Sequence, residues 1–134
     1  MKYLFGVKGM NFFKYDSWAV VAKDYSSGSK SYKIIELLKN HECNVVGINY
    51  ENNIQTNNIF IYESLKDVPH NIDVVVIVDE TIETYVILEE MELLDINNIW
   101  FEKDSYNDSI IKKAKSLNIN VIYGISLFKE FNIY

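Results

Sequence analysis

Three carboxylates and one loop rich in serine and lysine hold most of the side chains in this chain that could do chemistry. Asp79 and Glu80 follow an apolar run at 74–78, and Glu102 follows Asn98-Ile99-Trp100-Phe101. Acids gathered at strand ends suit proton transfer or a hard cation; as plain loop acids they are only solvated. The loop at 22–31 offers a different chemistry. Its last residues put the backbone N–H groups of Ser29, Lys30 and Ser31 at a predicted helix start, with Lys23, Lys30 and Lys33 nearby in sequence. Such a constellation can hold an anion, and it equally describes a capped helix with solvated lysines. His41 ends that helix, where its ring favours the negative end of the dipole. His70 follows Pro69 in a turn, and neither histidine has a Cys or Asp placed as its partner. No triad order, HExxH or P-loop pattern occurs, so no nucleophile–base pair can be named and no enzyme is predicted.

Composition narrows the classes further. The 134 residues are 49% hydrophobic and 24% charged, which is enough apolar mass for one core and suits one domain over 1–134. Lys plus Arg number 13 against 19 for Asp plus Glu, a net charge of −6. That field opposes nucleic acid and anionic membrane surfaces. A single cysteine, Cys43, excludes an internal disulfide and a thiolate zinc site, and is expected to be a small buried apolar residue. The first nine residues lack a signal-peptide pattern and no run is long enough to span a bilayer, so a cytoplasmic protein is expected.

Strands and helices must position the candidate groups. Short apolar runs at 18–22, 44–48, 74–78, 98–101 and 120–123 predict five strands covered on both faces. Between them, Ile34, Ile35, Leu37 and Leu38 predict a helix that begins near Ser31 and stops at Asn40-His41. Apolar residues from Ile82 to Leu94 predict a second helix, Asp108 caps a third, and Ser126 opens a short fourth. Ser64-Leu65-Lys66-Asp67 has the shape of a capping box closed by Pro69, and the Asn-rich stretch 51–58 reads as a loop. The alternation predicts an α/β, Rossmann-like three-layer sandwich with a five-stranded, mainly parallel sheet. Residues 1–17 form an extension in which Phe12-Phe13-Lys14-Tyr15 is expected to pack as a short helix at the sheet edge. Phe5, Phe12, Phe13 and Tyr15, with Phe128, Phe131 and Tyr134, must pack on the domain or on a second copy, which leaves a homodimer open.

Several pieces recur in a family order. Val20-Val21-Ala22 ends the first strand, Ser31-Tyr32-Lys33 opens the first helix, and Gly47-Ile48-Asn49-Tyr50 ends the second strand. Tyr62-Glu63-Ser64-Leu65-Lys66-Asp67-Val68-Pro69, Ile72-Asp73-Val74-Val75 and Ile99-Trp100 follow. From about Trp18 onward this order resembles the small CoA-binding domain family, similar to the first domain of the succinyl-CoA ligase α subunit. The resemblance implies a non-catalytic module binding CoA or another adenine nucleotide, a small nucleotide-like ligand, at the carboxyl ends of the strands. The residues it points to are Ala22, Lys23, Asp24, Gly28, Ser29, Lys30, Ser31, Tyr32, Asn49 and Asp79, with Tyr25 and Tyr50 beside the crevice as candidates for adenine stacking.

The chain also departs from that pattern. Ala22 stands where the family has Gly, Asp24 lies in the phosphate loop, and Asp79-Glu80 replace basic residues. Glu102 and Asp104 replace Gln and Gly, and Ser126 stands at a Cys. An acidic crevice is expected to repel phosphate. A second reading therefore stays open, an interaction or regulatory protein that keeps the fold and has lost the ligand.

Overall fold

A strand buried on both faces needs apolar side chains on each, and the Val-, Ile- and Trp-rich runs of this chain supply them. The computed structural model describes residues 12, 14–50, 59–81 and 83–131. The elements run β1 (Ser17–Val21), α1 (Lys30–Asn40), β2 (Asn44–Ile48), β3 (Ile61–Tyr62) and a 3₁₀ turn (Leu65–Asp67). They continue through β4 (Val74–Ile77), α2 (Glu83–Leu93), β5 (Asn98–Phe101), α3 (Asp108–Ser116), β6 (Asn120–Ile122) and α4 (Leu127–Phe131). All neighbouring strands are parallel, in the order β3-β2-β1-β4-β5-β6. The sheet has six strands where five were expected. The extra one, β3, is two residues long and pairs with Gly47 and Ile48, too short to show a period of its own.

Alternate residues of each strand feed two cores. Ala19, Val21, Val75, Ile77, Ile99 and Phe101 pack under α2 and α3 through Ile87, Leu88, Met91, Ile110 and Ala114. Trp18, Val20, Val74, Val76 and Trp100 pack under α1 and α4 through Ile34, Ile35, Leu38, Leu127 and Phe131. Helices therefore cover both faces. Phe12 is buried against Trp100 and Tyr15 in edge-on ring contacts at 6.0 and 6.1 Å, and Phe131 meets Trp18 at 6.0 Å. These aromatics pack within the chain, whereas Phe5, Phe13 and Tyr134, the loop 51–58 and Ile82 lie outside the described residues.

Polar groups pin the register at the amino ends of the strands. The Ser17 N–H donates to the Asp73 carboxylate at 3.1 Å, the Asn98 amide donates to the Asp73 carbonyl at 3.0 Å, and the Asn120 amide donates to Asn98 Oδ1 at 3.0 Å. A slip by one residue would turn every side chain to the wrong face and break these bonds.

Helix ends differ from the sequence reading in detail. α1 begins at Lys30, one residue before the expected Ser31, and Ser29 caps it: its hydroxyl accepts the Tyr32 N–H at 3.2 Å. Asn107, not Asp108, caps α3 by accepting the Ile110 N–H at 2.9 Å, and Asp108 becomes the first helical residue. Ser64 makes no N–H cap; its hydroxyl donates to the Asp67 carboxylate at 2.8 Å. At their carboxyl ends α1, α2 and α3 share one device. Glu42, Asp95 and Asn118 take left-handed φ values of 65°, 58° and 62°. The next residues, Cys43, Ile96 and Ile119, send their N–H groups back to Leu38, Met91 and Ala114. This is the Schellman turn, built here without glycine. Cys43 sits at that turn half-exposed rather than buried.

Gly47, in β2, leaves little room for a side chain. A Cβ there would meet the Tyr25 ring at 3.0 and 3.1 Å and Ile61 Cγ1 at 3.2 Å. Gly47→Ala should therefore cost about 1–3 kcal/mol of stability, as overpacking of a filled core does. Urea denaturation checks this, and an unchanged midpoint would contradict the packing.

Candidate functional site

The sheet order reverses between β1 and β4, so the crevice above their carboxyl ends is the switch point where open parallel sheets bind ligands. The structure has a hollow there of about 20 Å³, room for roughly one water molecule. Val21, Ala22 and Lys23 line it after β1, and Asn49 and Tyr50 after β2. Asp79, Thr81, Glu83 and Thr84 close it after β4. Four of the expected site residues thus meet at one place: Ala22, Lys23, Asn49 and Asp79.

Their polar groups face one another. The Lys23 N–H donates to Asp79 Oδ2 at 3.1 Å, and the Asn49 side-chain amide donates to the Lys23 carbonyl at 3.3 Å. Asp79 thus occupies the Lys23 N–H. Ala22 is buried and packs with Trp18 and Val20 in the α1-side core, as well as reaching the hollow.

The remaining loop residues form a separate internal network. Asp24 Oδ1 accepts the Ser26 N–H at 2.8 Å, and hydrogen bonds from the Ser26 side chain and backbone hold this exposed carboxyl below its ordinary range. The Ser31 hydroxyl donates to the Asp24 carbonyl, and the Ser29 and Ser31 hydroxyls are 3.1 Å apart. Gly28 takes φ +90° with open space around it, so conformation rather than crowding requires glycine there. Tyr32 points elsewhere, lining a second hollow with Ile35, Glu36, Lys39 and Ile59.

Asp79, Glu80 and Glu102 do not converge as expected. Glu80 accepts the Asn107 amide at 2.9 Å. Glu102 is fully buried instead of solvated: its carboxylate accepts the Leu127 N–H at 2.7 Å and the Ser126 hydroxyl at 3.2 Å, capping α4. Lys30 Nζ lies 3.7 Å from the same carboxylate, so the lysine expected to face an anion, though exposed itself, is paired with a buried acid of the protein. Among the described residues, no group of three or more His, Cys, Asp and Glu is placed to hold a metal ion.

The two tyrosines have separate fates. Tyr25 is not a stacking surface: it is fully buried, and its hydroxyl accepts the Ala22 and Ile48 N–H groups at 3.0 and 2.9 Å. The Val20 and Ile48 carbonyls both lie 2.6 Å from it, and its one proton serves either. Tyr50 does line the hollow. Its hydroxyl donates to the Glu90 carboxylate, and the Leu65 N–H reaches that carboxylate at 2.9 Å. Burial first, and Glu90 second, push the Tyr50 phenol far above its ordinary range; burial does the same for Tyr25. Thr81, Glu83, Thr84 and Glu90 were missed in the sequence. The place of Thr81, Glu83 and Thr84 just after the third apolar run, at the start of α2, was their one signal, and Glu90, in the second half of α2, had none. His41 stacks edge-on against Phe131 at 4.7 Å, and His70 Nδ1 lies 3.0 Å from the Asn71 carbonyl, so both are remote from the hollow.

The sequence matches the family described as the CoA binding domain over residues 16–131, and the chain belongs to that family. No curated protein matches it. Among solved structures it is similar to a hypothetical protein from Pyrococcus horikoshii OT3, with TM-score 0.83, 18% identity, and 99% of this chain and 98% of that one covered. Cell-free ID.343 from Thermus thermophilus follows at TM-score 0.80 and 15% identity, covering 94% and 96%. A dinucleotide-forming acetyl-coenzyme A synthetase 1 from Ca. Korarchaeum cryptofilum, solved in complex with phosphate and ADP, matches 86% of this chain but only 27% of its own, at TM-score 0.66 and 15% identity. These likenesses establish the fold. Among the described residues no helix is long and apolar enough to cross a membrane.

Two variants test the internal network. Glu102→Ala leaves the Leu127 N–H without an acceptor and should cost about 1–3 kcal/mol, measured by urea denaturation. A wild-type midpoint would mean the cap contributes nothing. A phenol whose pKa is raised by folding stabilises the protein below its unfolded pKa and loses that contribution as pH rises. Stability should therefore hold up to about pH 10, the ordinary Tyr value, and fall above it. Tyr25→Phe should flatten part of that fall in denaturation series at increasing pH, while an unchanged slope would remove Tyr25 as its source.

Proposed function

We propose that this CoA binding domain is a non-catalytic binding module that takes CoA or another adenine nucleotide at the switch-point crevice. One observation carries the reading. Lys23, Asn49 and Asp79 meet beyond the ends of β1, β2 and β4, the location that serves nucleotides in sheets of this order. The family match over 16–131 supports the ligand class. In this reading the ligand displaces the Asp79 carboxylate from the Lys23 N–H, and the loop that ends at Gly28 and Ser29 lies along its phosphates. Asn49 stays on the Lys23 carbonyl and keeps the peptide oriented.

A second reading, an interaction protein that kept the fold without the ligand, is favoured by the closure of the site. Asp79 takes one loop N–H, Ser29 and Ser31 bond within the loop, and Lys30 is held by Glu102.

Thermal unfolding with CoA, dephospho-CoA, ADP and NAD(H) separates the two. A ligand at 100 times its Kd should add about 2.7 kcal/mol. Asp79→Ala, which releases the Lys23 N–H and removes a charge, should tighten binding by about 1.5–3 kcal/mol, the range for a hydrogen bond to a charged group. If no compound moves the midpoint of either protein, the nucleotide reading fails and the interaction reading replaces it.

A further inference from the structure

Helix α2 presents apolar side chains away from the sheet as well as towards it. Ile87, Leu88 and Met91 are buried on the sheet, while Tyr85, Val86, Leu93 and Leu94, on or just after the helix, are exposed. They are four of the six large apolar side chains exposed among the described residues, and Leu93 is 85% exposed. Single residues of this kind are ordinary on a surface, but Val86, Leu93 and Leu94 line one groove together with Lys66. Charge divides the same face in two. α2 carries Glu83, Glu89, Glu90 and Glu92 and no lysine. Glu90 and Glu92 lie in its last turn, where the helix dipole disfavours negative charge. α3 packs beside α2 over the same core and carries Lys112, Lys113 and Lys115 against Asp108 alone. Lys115 Nζ stands 5.5 Å from the centre of the Tyr123 ring, another of the exposed apolar groups.

An acidic helix beside a basic one makes a surface complementary to itself, which a two-fold contact requires. Each of the two helices returns between parallel strands, so they run side by side in the same sense. A two-fold axis between them, along both, lays α2 of each copy on α3 of the other. Glutamates then face lysines on both sides of the axis, and the exposed apolar side chains of α2 leave water together. We infer that the α2–α3 face is the interface of a two-fold homodimer, in which the acidic α2 of one copy docks on the basic α3 of the other. The net charge of −6 makes two copies repel over most approaches, and this face is one where opposite signs meet. The contact does not depend on the nucleotide reading.

Sedimentation velocity of the full chain over a concentration series tests this with charge-reversed variants. The wild type should form a species of twice the monomer mass. Glu89→Lys with Glu92→Lys should weaken association at least ~10-fold, because like charges then face each other across the contact. Lys112→Glu with Lys115→Glu should do the same. Mixed in equal amounts, the two double variants should dimerise again, since each α2–α3 contact then joins opposite charges. All four positions are exposed, and thermal melts check that each variant keeps its fold. Leu93→Ser, which changes no charge, should also weaken the dimer. A wild type that stays monomeric at every concentration overturns the inference. So does a lysine-reversed variant or Leu93→Ser that dimerises like the wild type, or a mixture of folded variants that stays monomeric.

Discussion

The Tyr25 hydroxyl is the constraint on which the upper half of the molecule depends. It sits where β1 and β2 end and takes in N–H groups from both, Ala22 and Ile48, while its proton serves the Val20 or Ile48 carbonyl. A single buried oxygen thereby satisfies backbone groups at the point where the ladder would otherwise stop. The ring lies on Gly47, which has no side chain to obstruct it. Only the Tyr25 side chain turns inward: Lys23, Asp24, Ser26 and Ser27 on either side of it are exposed. Asp24, Ser26, Ser29 and Ser31 bond among themselves.

Two carboxylates at equivalent strand ends show how surroundings decide a role. Asp79 follows β4 at the rim of the hollow and meets a loop N–H. Glu102 follows β5 beneath the start of α4, where the Leu127 N–H and Ser126 hydroxyl converge on it. A charge taken fully out of water must be bonded on several sides, and Glu102 is. Lys30, the exposed first residue of α1, also lies 3.7 Å from it. The acidity that a sequence comparison assigns to one crevice is thus divided between a rim group and a structural cap.

The parts of the fold legible in the sequence are those where side-chain pattern and burial coincide. β2 and β5 fall on the predicted residues, 44–48 and 98–101, since a parallel strand covered on both faces leaves an unbroken apolar run. β3 was illegible because two residues carry no period. The start of α1 and the cap of α3 each fell one residue from the expected place, at Lys30 and Asn107, where neighbouring polar residues offer the same chemistry and only backbone geometry selects between them. For the site, position was readable and orientation was not. Lys23, Asn49 and Asp79 follow strands and so reach the crevice, but nothing in a sequence reports that Tyr25 turns inward or that Lys30 finds Glu102. Polar pairs made across long sequence separations leave no local pattern.

The strand order also sets a schedule for folding. β1 lies between β2 and β4, and its first residue is tied to Asp73, 56 residues further along the chain. One edge of β1 can be covered as soon as α1 and β2 are made, because these follow directly. Its other edge has no partner until β4 has left the ribosome, whereas β5 and β6 each add beside the strand completed just before. Pairing that must await a distant segment is slow, and an unpaired apolar edge is exposed to association meanwhile. The strand that forms the centre of the crevice is therefore also the chain's most exposed element while it is being synthesised. Its early cover comes from α1, through Ile34, Ile35 and Leu38 packed against Trp18 and Val20.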